Sequence, residues 1–260
     1  MNIKVTNQVV IQARMGSTRL PGKTLLPLGG RPVIEHVIRR SSAAMLVDRV
    51  VVATTDQSED DQVADWCNRH AIHCIRGSSA DVLARYLKAI SEFPCSNVIR
   101  ITADCPLIDP GIIDALLCLH AGQGCDYTAN VIPPTFPIGF DAEVIRAETL
   151  QQLDGSASLT SHREHVTLFI RENLARFKTA NLSFGQNFEN VRLTLDRDAD
   201  FQLLARVFAH FASSSELFSF YQVMDFLSQN PELVAINSGI DRFEGVKKSA
   251  AGENRRLQWE

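Results

Sequence analysis

"VVIQARMGSTRLPGKT", residues 9–24, joins a short run of β-branched residues to a loop that carries three cations. The run is typical of a strand that is buried on both faces of a sheet. The loop looks like a phosphate-binding P-loop, but five residues separate Gly16 from Gly22, which is one too many. Pro27 and Pro32 also prevent a helix from continuing the loop, as a P-loop requires. The stretch therefore predicts a buried strand followed by a phosphate-binding loop of another type.

Short β-branched runs alternate with amphipathic segments through the first half of the chain. Strands are predicted at residues 9–13, 49–53, 73–75 and 98–102. Helices are predicted to begin at Pro32, at Ser58 as a capping residue, and at the pair Asp109 and Pro110. This alternation predicts an α/β fold of the Rossmann-like type, with a mostly parallel sheet that is flanked by helices.

The second half of the chain is less regular. Strand candidates lie at residues 126–130, 142–147, 177–182 and 191–195, and helices are predicted at residues 161–173, 199–211 and 218–229. The pattern indicates that the parallel sheet gains a smaller antiparallel extension. Since no Gly- or Pro-rich linker divides the halves, we expect one domain over residues 1–244. The polar tail, residues 245–260, is expected to fray.

The composition is that of an ordinary globular protein, with 45% hydrophobic residues in 260. A net charge of −4 and the lack of a long basic run argue against a nucleic-acid partner. We find no membrane-spanning apolar run and no leader. We therefore expect no membrane partner, and we expect a cytoplasmic location. The six cysteines include no Cys-x-x-Cys pair and suit a reducing compartment. His70, His73 and Cys74 lack a second ligand pair, so a zinc site is not predicted.

Chemically active side chains follow the first and fourth predicted strands. Ligands of a doubly wound sheet bind at the carboxyl ends of the strands, where the strand order reverses. Arg14, Arg19 and Lys23 follow the first strand, and Asp104 follows the fourth. Cations that face a carboxylate suit a polyphosphate with a bridging Mg²⁺, because this ion binds one or two protein carboxylates and leaves its other positions to water and phosphates. In isolation, Asp104 could instead be only a turn residue or a helix cap.

Seven stretches together resemble the cytidylyltransferase family. In chain order they are "IQARMGSTRLPGKTLLPLGGRPVIEHVI", "VVATTD", "IRGSSADVLARY", "IRITADCPLID", "FPIGFDAEVI", "SHREHVT" and "LTLDRDADF". The resemblance is collinear over residues 8–212 and is to the branch of spore-coat polysaccharide biosynthesis proteins. This branch is related to the sialic acid and 3-deoxy-manno-octulosonate cytidylyltransferases. The resemblance implies a nucleotidyltransferase (GT-A-like) fold and an enzyme that uses CTP to activate an acidic sugar, releasing pyrophosphate and forming a CMP-sugar for surface polysaccharides.

The resemblance also implies a nucleotide site and a metal site. The positions that match the family's nucleotide site are Ala13, Arg14, Gly16, Ser17, Arg19, Lys23, Ser78, Asp81 and Thr102. Asp104 and Asp196 match the carboxylates that hold Mg²⁺, and Asp141 is the rival candidate for the place of Asp196. Arg14, Lys23, Asp104 and Asp196 would form the catalytic set. A structural interpretation of Asp81 stays open, in which it only begins a helix and pairs with Arg85 one turn later.

The acceptor sugar is expected to meet the "SHREHVT" stretch. Arg163 and His165 would suit a sugar carboxylate, and Asp141 is a further candidate for substrate binding. Alternatively, Ser161 and Glu164 form a capping box and the two basic residues are merely exposed. The related enzymes differ in this region, so the identity of the acceptor is not inherited from the resemblance.

Two other functions are compatible with this kind of fold. A glycosyltransferase usually has an Asp-x-Asp metal motif after the fourth strand, whereas this chain has Asp104, Cys105 and Pro106 there. It also has no need for the basic loop after the first strand. A non-catalytic nucleotide-binding subunit would leave the expected catalytic positions without a role. Relatives of the family often dimerise, so a homodimer is a further possibility.

Overall fold

A seven-stranded sheet forms the centre of the protein in the computed structural model, which describes residues 6–213 and 217–257. The strands of these residues are β1 (Asn7–Gln12), β2 (Pro27–Leu28), β3 (Arg31–Pro32), β4 (Arg49–Thr55), β5 (His73–Gly77), β6 (Asn97–Thr102), β7 (Tyr127–Ala129), β8 (Glu143–Arg146) and β9 (Thr179–Asn181). The sheet order is β5-β4-β1-β6-β8-β7-β9, and β2 and β3 form a separate small hairpin. Strands β5, β4, β1 and β6 are parallel, and β8 runs antiparallel to both β6 and β7.

Helices cover both faces of this sheet. In chain order they are α1 (Val33–Ser42), α2 (Asp61–Arg69), α3 (Val82–Glu92), α4 (Pro110–Gln123), α5 (Ala147–Ser156), α6 (Thr160–His165), α7 (Leu168–Glu172), α8 (Asp198–His210), α9 (Phe220–Gln229), α10 (Pro231–Ala235) and α11 (Glu244–Gly252). Val9 and Ile11 pack into the core under α1, α4 and α8, whereas Val10 packs into the core under α3 and α5. The β1 strand is therefore buried on both faces, which is why its sequence is apolar without alternation.

The predicted fold class is confirmed. The strands expected in the first half form the parallel part of the sheet, and the order reverses between β1 and β6. The antiparallel pairing of β8 with β6 and β7 is the smaller extension that the second half of the sequence indicated. The helices expected at residues 199–211 and 218–229 correspond to α8 and α9. Because one sheet runs through both halves, it supports our proposal of a single domain over residues 1–244.

Two predicted helix starts are displaced. Pro32 is the residue before α1 rather than its first residue, because it pairs with Pro27 in the small hairpin. Ser58 does not cap a helix: it begins a 3₁₀ turn, and α2 starts at Asp61. Asp109, by contrast, caps α4 as predicted, since its carboxylate accepts the backbone N–H groups of Gly111 and Ile112. Its charge therefore satisfies backbone donors that begin the helix.

Residues 191–195 do not form the predicted strand. They lie in an extended segment that makes a single bridge, between Ile138 and Arg192. The Leu193 N–H donates to the Ile138 carbonyl at 2.7 Å, and the Leu195 N–H donates to the Asp104 carbonyl at 2.8 Å. The segment is apolar and extended like a strand, but its hydrogen bonds go to two different loops. A β-ladder with one neighbour is therefore not formed.

The helix predicted over residues 161–173 is divided into α6 and α7. Val166 separates them with a φ of 54°, a conformation that a β-branched residue rarely adopts and no α-helix contains. Thr167 directs its hydroxyl at the buried carboxylate of Glu143, at 2.7 Å. This bond inside the protein holds the chain in place at the break, which the helical periodicity of the sequence does not reveal.

The C-terminal tail does not fray over the residues described. It forms α11, and the buried Ala250 and Leu257 pack against Leu168. The Glu253 carboxylate accepts hydrogen bonds from the backbone and the hydroxyl of Ser161, each at 2.7 Å. Although the sequence of this tail is polar, a few apolar contacts and ion pairs attach the tail to α6 and α7. Residues 258–260 of the predicted tail lie outside the described residues.

Membrane-spanning helices are not found among the residues that the structure describes. Over residues 6–213 and 217–257, no helix combines the length and the apolar character that crossing a bilayer requires.

We predict that Gly139→Ala destabilises the protein. Gly139 has a φ of 109°, and a Cβ there would lie 2.5 Å from the backbone of Leu193, which cannot move aside like a side-chain end. The combined backbone strain and overlap should lower the free energy of unfolding by at least about 2 kcal/mol. Urea unfolding followed by circular dichroism measures this change. Gly155→Ala is the matched control, because a Cβ at Gly155 meets nothing within 4 Å.

Candidate active site

A cleft of about 580 Å³ opens at the carboxyl ends of β1 and β6. Its walls come from the loop after β1, the residues after β6, the start of α3 and segments near residues 192–196 and 241–245. Since the strand order reverses between these two strands, the cleft lies where ligands of doubly wound sheets bind.

The loop after β1 is held by its own backbone rather than by a following helix. The Met15 carbonyl accepts the N–H groups of Ser17 at 2.8 Å and of Gly22 at 3.2 Å. The Met15 N–H donates to Asp60, at 2.6 Å, and the Thr24 hydroxyl donates to the Arg14 carbonyl, at 2.7 Å. Gly22 takes the left-handed φ of 73° that closes the loop at no steric cost. This closure brings the next residue, Lys23, back to the end of the sheet.

Lys23 lies between two carboxylates. Its ammonium donates to Asp104 Oδ2 at 2.8 Å and to Asp196 Oδ1 at 2.9 Å. Arg19 Nε donates to the other oxygen of Asp196 at 2.5 Å, and the Thr102 hydroxyl donates to Asp104 Oδ1 at 2.6 Å. The Lys23 side chain is only 13% exposed, so water screens this cluster poorly. Two cations and two anions therefore balance one another at the floor of the cleft.

The opposite charges in this cluster stabilise one another. Burial raises the pKa of Asp104, but the Lys23 ammonium and the Thr102 hydroxyl outweigh this effect and lower the pKa to about 2. Burial likewise opposes the ionisation of Asp196, whose pKa is lowered by Arg19 and Lys23. For Lys23, burial lowers the pKa and the two carboxylates raise it, with a net increase. All of these groups are thus charged near neutral pH.

The two aspartates come together through backbone contacts of a distant segment. The Asp104 carbonyl accepts the Leu195 N–H at 2.8 Å and the Thr194 hydroxyl at 3.0 Å. The Asp196 N–H in turn donates to Asp200 at 2.9 Å. Asp200 is fully buried and also accepts the guanidinium of Arg192 at 2.9 Å. Asp200 therefore fixes the position of the segment that carries Asp196.

Asp104 and Asp196 have the chemistry that a magnesium ion requires. Hard oxygen donors from one or two carboxylates are the protein ligands Mg²⁺ takes when phosphates complete its coordination. Both carboxylates already hold one shared cation, the Lys23 ammonium. Among residues 6–213 and 217–257, no group of three or more His, Cys, Asp or Glu residues could hold a metal by itself. A divalent ion here would therefore depend on ligands from the substrate.

Most of the predicted site residues lie at this cleft. Those that line it are Ala13, Arg14, Gly16, Ser17, Arg19, Lys23, Thr102, Asp104, His165 and Asp196. His165 donates or accepts a hydrogen bond with the Ser249 hydroxyl at 3.0 Å, and burial lowers its pKa to about 4. It is therefore a neutral imidazole near pH 7.

Ser78, Asp81, Asp141 and Arg163 are not brought into the wall of the cleft. Ser78 lines a separate pocket, and its neighbour Ser79 lines the cleft instead. Asp81 caps α3 by accepting the N–H of Ala84 at 2.8 Å, which confirms the structural interpretation of this residue as a helix start. Its partner is not Arg85 as expected but Arg163, whose Nε donates to it at 2.5 Å.

The alternative interpretation of Ser161 and Glu164 as a capping box is wrong. The Ser161 hydroxyl donates to Glu253 of the C-terminal segment, and the Ser249 hydroxyl donates to Glu164 at 2.9 Å. Ser161 and Glu164 therefore bind partners that lie 92 and 85 positions later in the chain. Such distant partners cannot be read from a local motif.

Three arginines that were not among the predicted site residues also line the cleft: Arg85, Arg192 and Arg242. Arg242 donates to the carboxylate of Asp141 and, at 3.1 Å, to the carbonyl of Phe136. Asp141 thus contributes indirectly, by holding a cation that lines the cleft. The spacing of Arg192 and Asp196, four residues apart, was a weak signal that this stretch is charged on one side. Nothing in the sequence around Arg242 indicated its place.

Comparison with known proteins supports the resemblance found in the sequence. A family model described as cytidylyltransferase matches residues 8–236 of this chain. The chain is 34% identical over 230 residues to the spore coat polysaccharide biosynthesis protein SpsF of Bacillus subtilis (strain 168), covering 86% of this chain and 94% of that protein. It is 40% identical over 115 residues to the 3-deoxy-manno-octulosonate cytidylyltransferase of Mesorhizobium japonicum, covering 42% of this chain and 46% of that one. A solved cytidylyltransferase structure from Leptospira borgpetersenii serovar Hardjo-bovis matches with a TM-score of 0.85 and 32% identity, over 92% of this chain and 100% of that one.

Asp200→Asn is predicted to destabilise the protein. The substitution removes the carboxylate that accepts both hydrogen bonds of the Arg192 guanidinium, and leaves this buried cation only Asp196, at 3.7 Å. The free energy of unfolding should fall by about 3 kcal/mol, measured by urea denaturation. Asp198→Asn, an exposed carboxylate on the same helix, is the control and should change this free energy by less than about 1 kcal/mol. Equal effects of the two substitutions would contradict the role of Asp200.

Proposed function

Because this chain belongs to the cytidylyltransferase family, we propose that it activates an acidic sugar with CTP, forming a CMP-sugar for surface polysaccharide biosynthesis. The nucleotidyltransferase fold and the nucleotidyltransferase class of the enzyme follow from the family and from its structural neighbour. The observation that carries the proposal is the meeting of the basic loop with Asp104 and Asp196 in one cleft. The names of two relatives, one in polysaccharide biosynthesis and one acting on octulosonate, support the choice of substrate class.

In the proposed reaction, a hydroxyl of the sugar attacks the α-phosphate of CTP. A bond forms between the hydroxyl oxygen and that phosphorus, and the bond from the phosphorus to the oxygen that bridges to the β-phosphate breaks. Pyrophosphate leaves with that oxygen, and the hydroxyl proton passes to water. Such a step needs positioning and charge neutralisation rather than a protein nucleophile. Arg14, Arg19 and Lys23 line the cleft and would neutralise the triphosphate. The backbone of Gly16 and Ser17 would approach the phosphates.

Asp104 and Asp196 would hold Mg²⁺ in this proposal. The bound ion would neutralise charge that develops on the phosphate oxygens. Lys23 currently contacts both carboxylates, and its flexible four-carbon stem allows the ammonium to turn to a phosphate when the ion and CTP bind. The same residue would then bind substrate instead of bridging the aspartates. Asp141, the rival for the place of Asp196, is paired with Arg242, which supports assigning the second carboxylate to Asp196.

The acceptor side of the cleft would recognise an acid through Arg242. An arginine has five N–H donors. Two bonds from Arg242, to Asp141 and to the Phe136 carbonyl, hold the guanidinium in place and leave other donors for a carboxylate. His165, which also lines the cleft, supplies a neutral imidazole. Arg163, our first candidate for this role, is held by Asp81 and Asp154 instead.

The remaining expectations from the sequence are part of the same proposal. Small molecules, CTP and a sugar acid, are its proposed partners. A cytoplasmic location and a homodimer stay predictions that a cell fractionation and a sedimentation experiment would test.

Asp104→Asn tests the proposed reaction. Losing the carboxylate that contacts Lys23 should slow pyrophosphate release from CTP by about a thousandfold at saturating magnesium. The measurement uses a coupled pyrophosphate assay with CTP and a panel of acidic sugars, and it also identifies the acceptor. Asp225→Asn, an exposed carboxylate on α9, should react like the wild type.

Near-normal turnover of the Asp104→Asn variant would remove Asp104 from the mechanism. Failure of the wild-type protein to release pyrophosphate with any sugar acid would reject the proposed function. Consumption of a nucleotide sugar in the same panel would then point to the glycosyltransferase alternative.

Arg242→Gln separates acceptor binding from nucleotide binding. Removing the cationic fork should raise the KM for the acceptor found in the panel by about 10- to 100-fold. The KM for CTP should change by less than about threefold, because Arg242 lies on the segment near residues 241–245 and not on the basic loop. Arg206→Gln, an exposed arginine of α8, is the control. An equal rise in both KM values would contradict an acceptor-specific role.

A further inference from the structure

His165 brings to the cleft an imidazole that has one bonded and one free nitrogen. The residue lines the cleft at the end of α6, and its side chain is 20% exposed. Nε2 lies 3.0 Å from the Ser249 hydroxyl of α11. Nδ1 has no hydrogen-bond partner among residues 6–213 and 217–257, yet it keeps contact with solvent. This free nitrogen is therefore accessible from the cleft.

The Ser249 hydroxyl decides which nitrogen of His165 carries the hydrogen. A serine hydroxyl has a single proton to donate. It lies 2.9 Å from the Glu164 carboxylate and 3.1 Å from the Gly245 carbonyl, and both of these groups are acceptors. The proton therefore points to one of them, and the hydroxyl oxygen accepts the hydrogen of His165 Nε2. In the neutral ring, Nδ1 is then an acceptor with a free lone pair.

A strained turn fixes the backbone at His165. The Thr167 N–H donates to the His165 carbonyl at 2.5 Å, and Val166 between them has a φ of 54° and a ψ of −60°. These values are those of a γ-turn with a positive φ, which is rare and costs energy at a β-branched residue. The buried Glu143 carboxylate accepts the Thr167 hydroxyl at 2.7 Å and holds the turn. Strain that the surrounding structure maintains is found mainly where a side chain must be placed accurately.

The surroundings of His165 keep its imidazole neutral. Burial lowers the pKa of His165 to about 4, and the nearby Arg100 and Arg171 act in the same direction. Glu164 and Glu143 act in the opposite direction without compensating this effect. Nδ1 therefore carries no hydrogen near neutral pH, and it has nothing to donate to the carboxylate of an acid. A hydroxyl, which has a proton to donate, is the partner that this nitrogen fits.

We propose that His165 Nδ1 binds the attacking hydroxyl of the acceptor sugar and takes up its proton. The inference rests on the proposed function and adds a catalytic residue to it, with Ser249 and Glu164 as positioning residues. The hydroxyl oxygen bonds to the α-phosphorus, its proton moves to Nδ1, and the bond from the phosphorus to the bridging oxygen of pyrophosphate breaks. The imidazolium then gives the proton to water, which burial and the two arginines favour. Such general-base assistance contributes about 10²- to 10⁴-fold to a rate.

His165→Asn tests the proton transfer. The amide oxygen of asparagine can replace Nδ1 as a hydrogen-bond acceptor, but it cannot take up the proton. With saturating CTP, Mg²⁺ and the acceptor found in the panel, the single-turnover rate of pyrophosphate release should fall by about 100-fold. The Kd for CTP, measured by isothermal titration calorimetry, should change by less than about threefold. His210→Asn, at an exposed histidine that ends α8, is the control and should react like the wild type.

Ser249→Ala tests the positioning role with a readout that is independent of activity. Nitrogen NMR of labelled histidine side chains should show His165 with its hydrogen on Nε2, and the loss of this signal in His165→Asn identifies it among the seven histidines. In Ser249→Ala, both tautomers of His165 should be populated, and the single-turnover rate should fall by about tenfold. Ser249→Thr keeps the hydroxyl and should restore both the single tautomer and the rate.

Three results would overturn the inference while leaving the proposed function standing. One is near-normal single-turnover release by His165→Asn, and another is a higher KM for the acceptor with an unchanged rate at saturation, which would make His165 a binding residue only. The third needs only the wild type: a hydrogen on Nδ1 in the NMR spectrum would leave that nitrogen unable to accept a proton. A wild-type protein that releases no pyrophosphate with any sugar acid would instead reject the proposed function itself.

Discussion

The Lys23 ammonium, held between the carboxylates of Asp104 and Asp196, is the interaction on which the candidate active site depends. Those side chains come from the ends of two neighbouring strands and from a segment that lies 173 residues after Lys23. Without the ammonium, two partly buried carboxylates would face each other, and their repulsion would raise the pKa of at least one of them. The charge balance therefore forces three distant parts of the chain into one arrangement. The same balance makes a cation exchangeable there, since a divalent ion satisfies two carboxylates as an ammonium does.

The backbone supplies what the charges alone cannot, namely the direction of each carboxylate. The Asp104 carbonyl receives two bonds from residues 194 and 195, and Asp200 receives the Asp196 N–H. Gly139 is required because the 191–195 segment passes too close for any Cβ. The site is rigid although it lies on loops, because each loop makes hydrogen bonds to the other loops and is not held only by its own strand. Rigid positioning is the main contribution that a protein makes to phosphoryl and nucleotidyl transfer.

The sequence predicted the parallel half of the sheet because strands buried on both faces contain runs of β-branched residues, as β1 and β6 do, although Arg100 interrupts the run in β6. It predicted Lys23 and Asp104 as neighbours because strand ends converge at a reversal of strand order. It did not predict the partner of Asp81, Arg163, or the attachment of Glu253 to Ser161. These pairs join residues 82 and 92 positions apart, and no local periodicity encodes such a pairing. The buried network around Asp200 was missed for the same reason.

The two ends of the cleft differ in how they relate to the family. The basic loop and both aspartates lie within residues 8–236, the part that the family model matches. Asp241, Arg242, Glu244 and Gly245 also line the cleft, but they follow the matched part. Ala250 of α11 and the residues that follow α11 attach this segment to α6 and α7, and Glu244 also pairs with Arg197, the neighbour of Asp196, at 2.7 Å. The proposed acceptor end is therefore held by the C-terminal segment and is also tied, through Arg197, to the chain that carries Asp196.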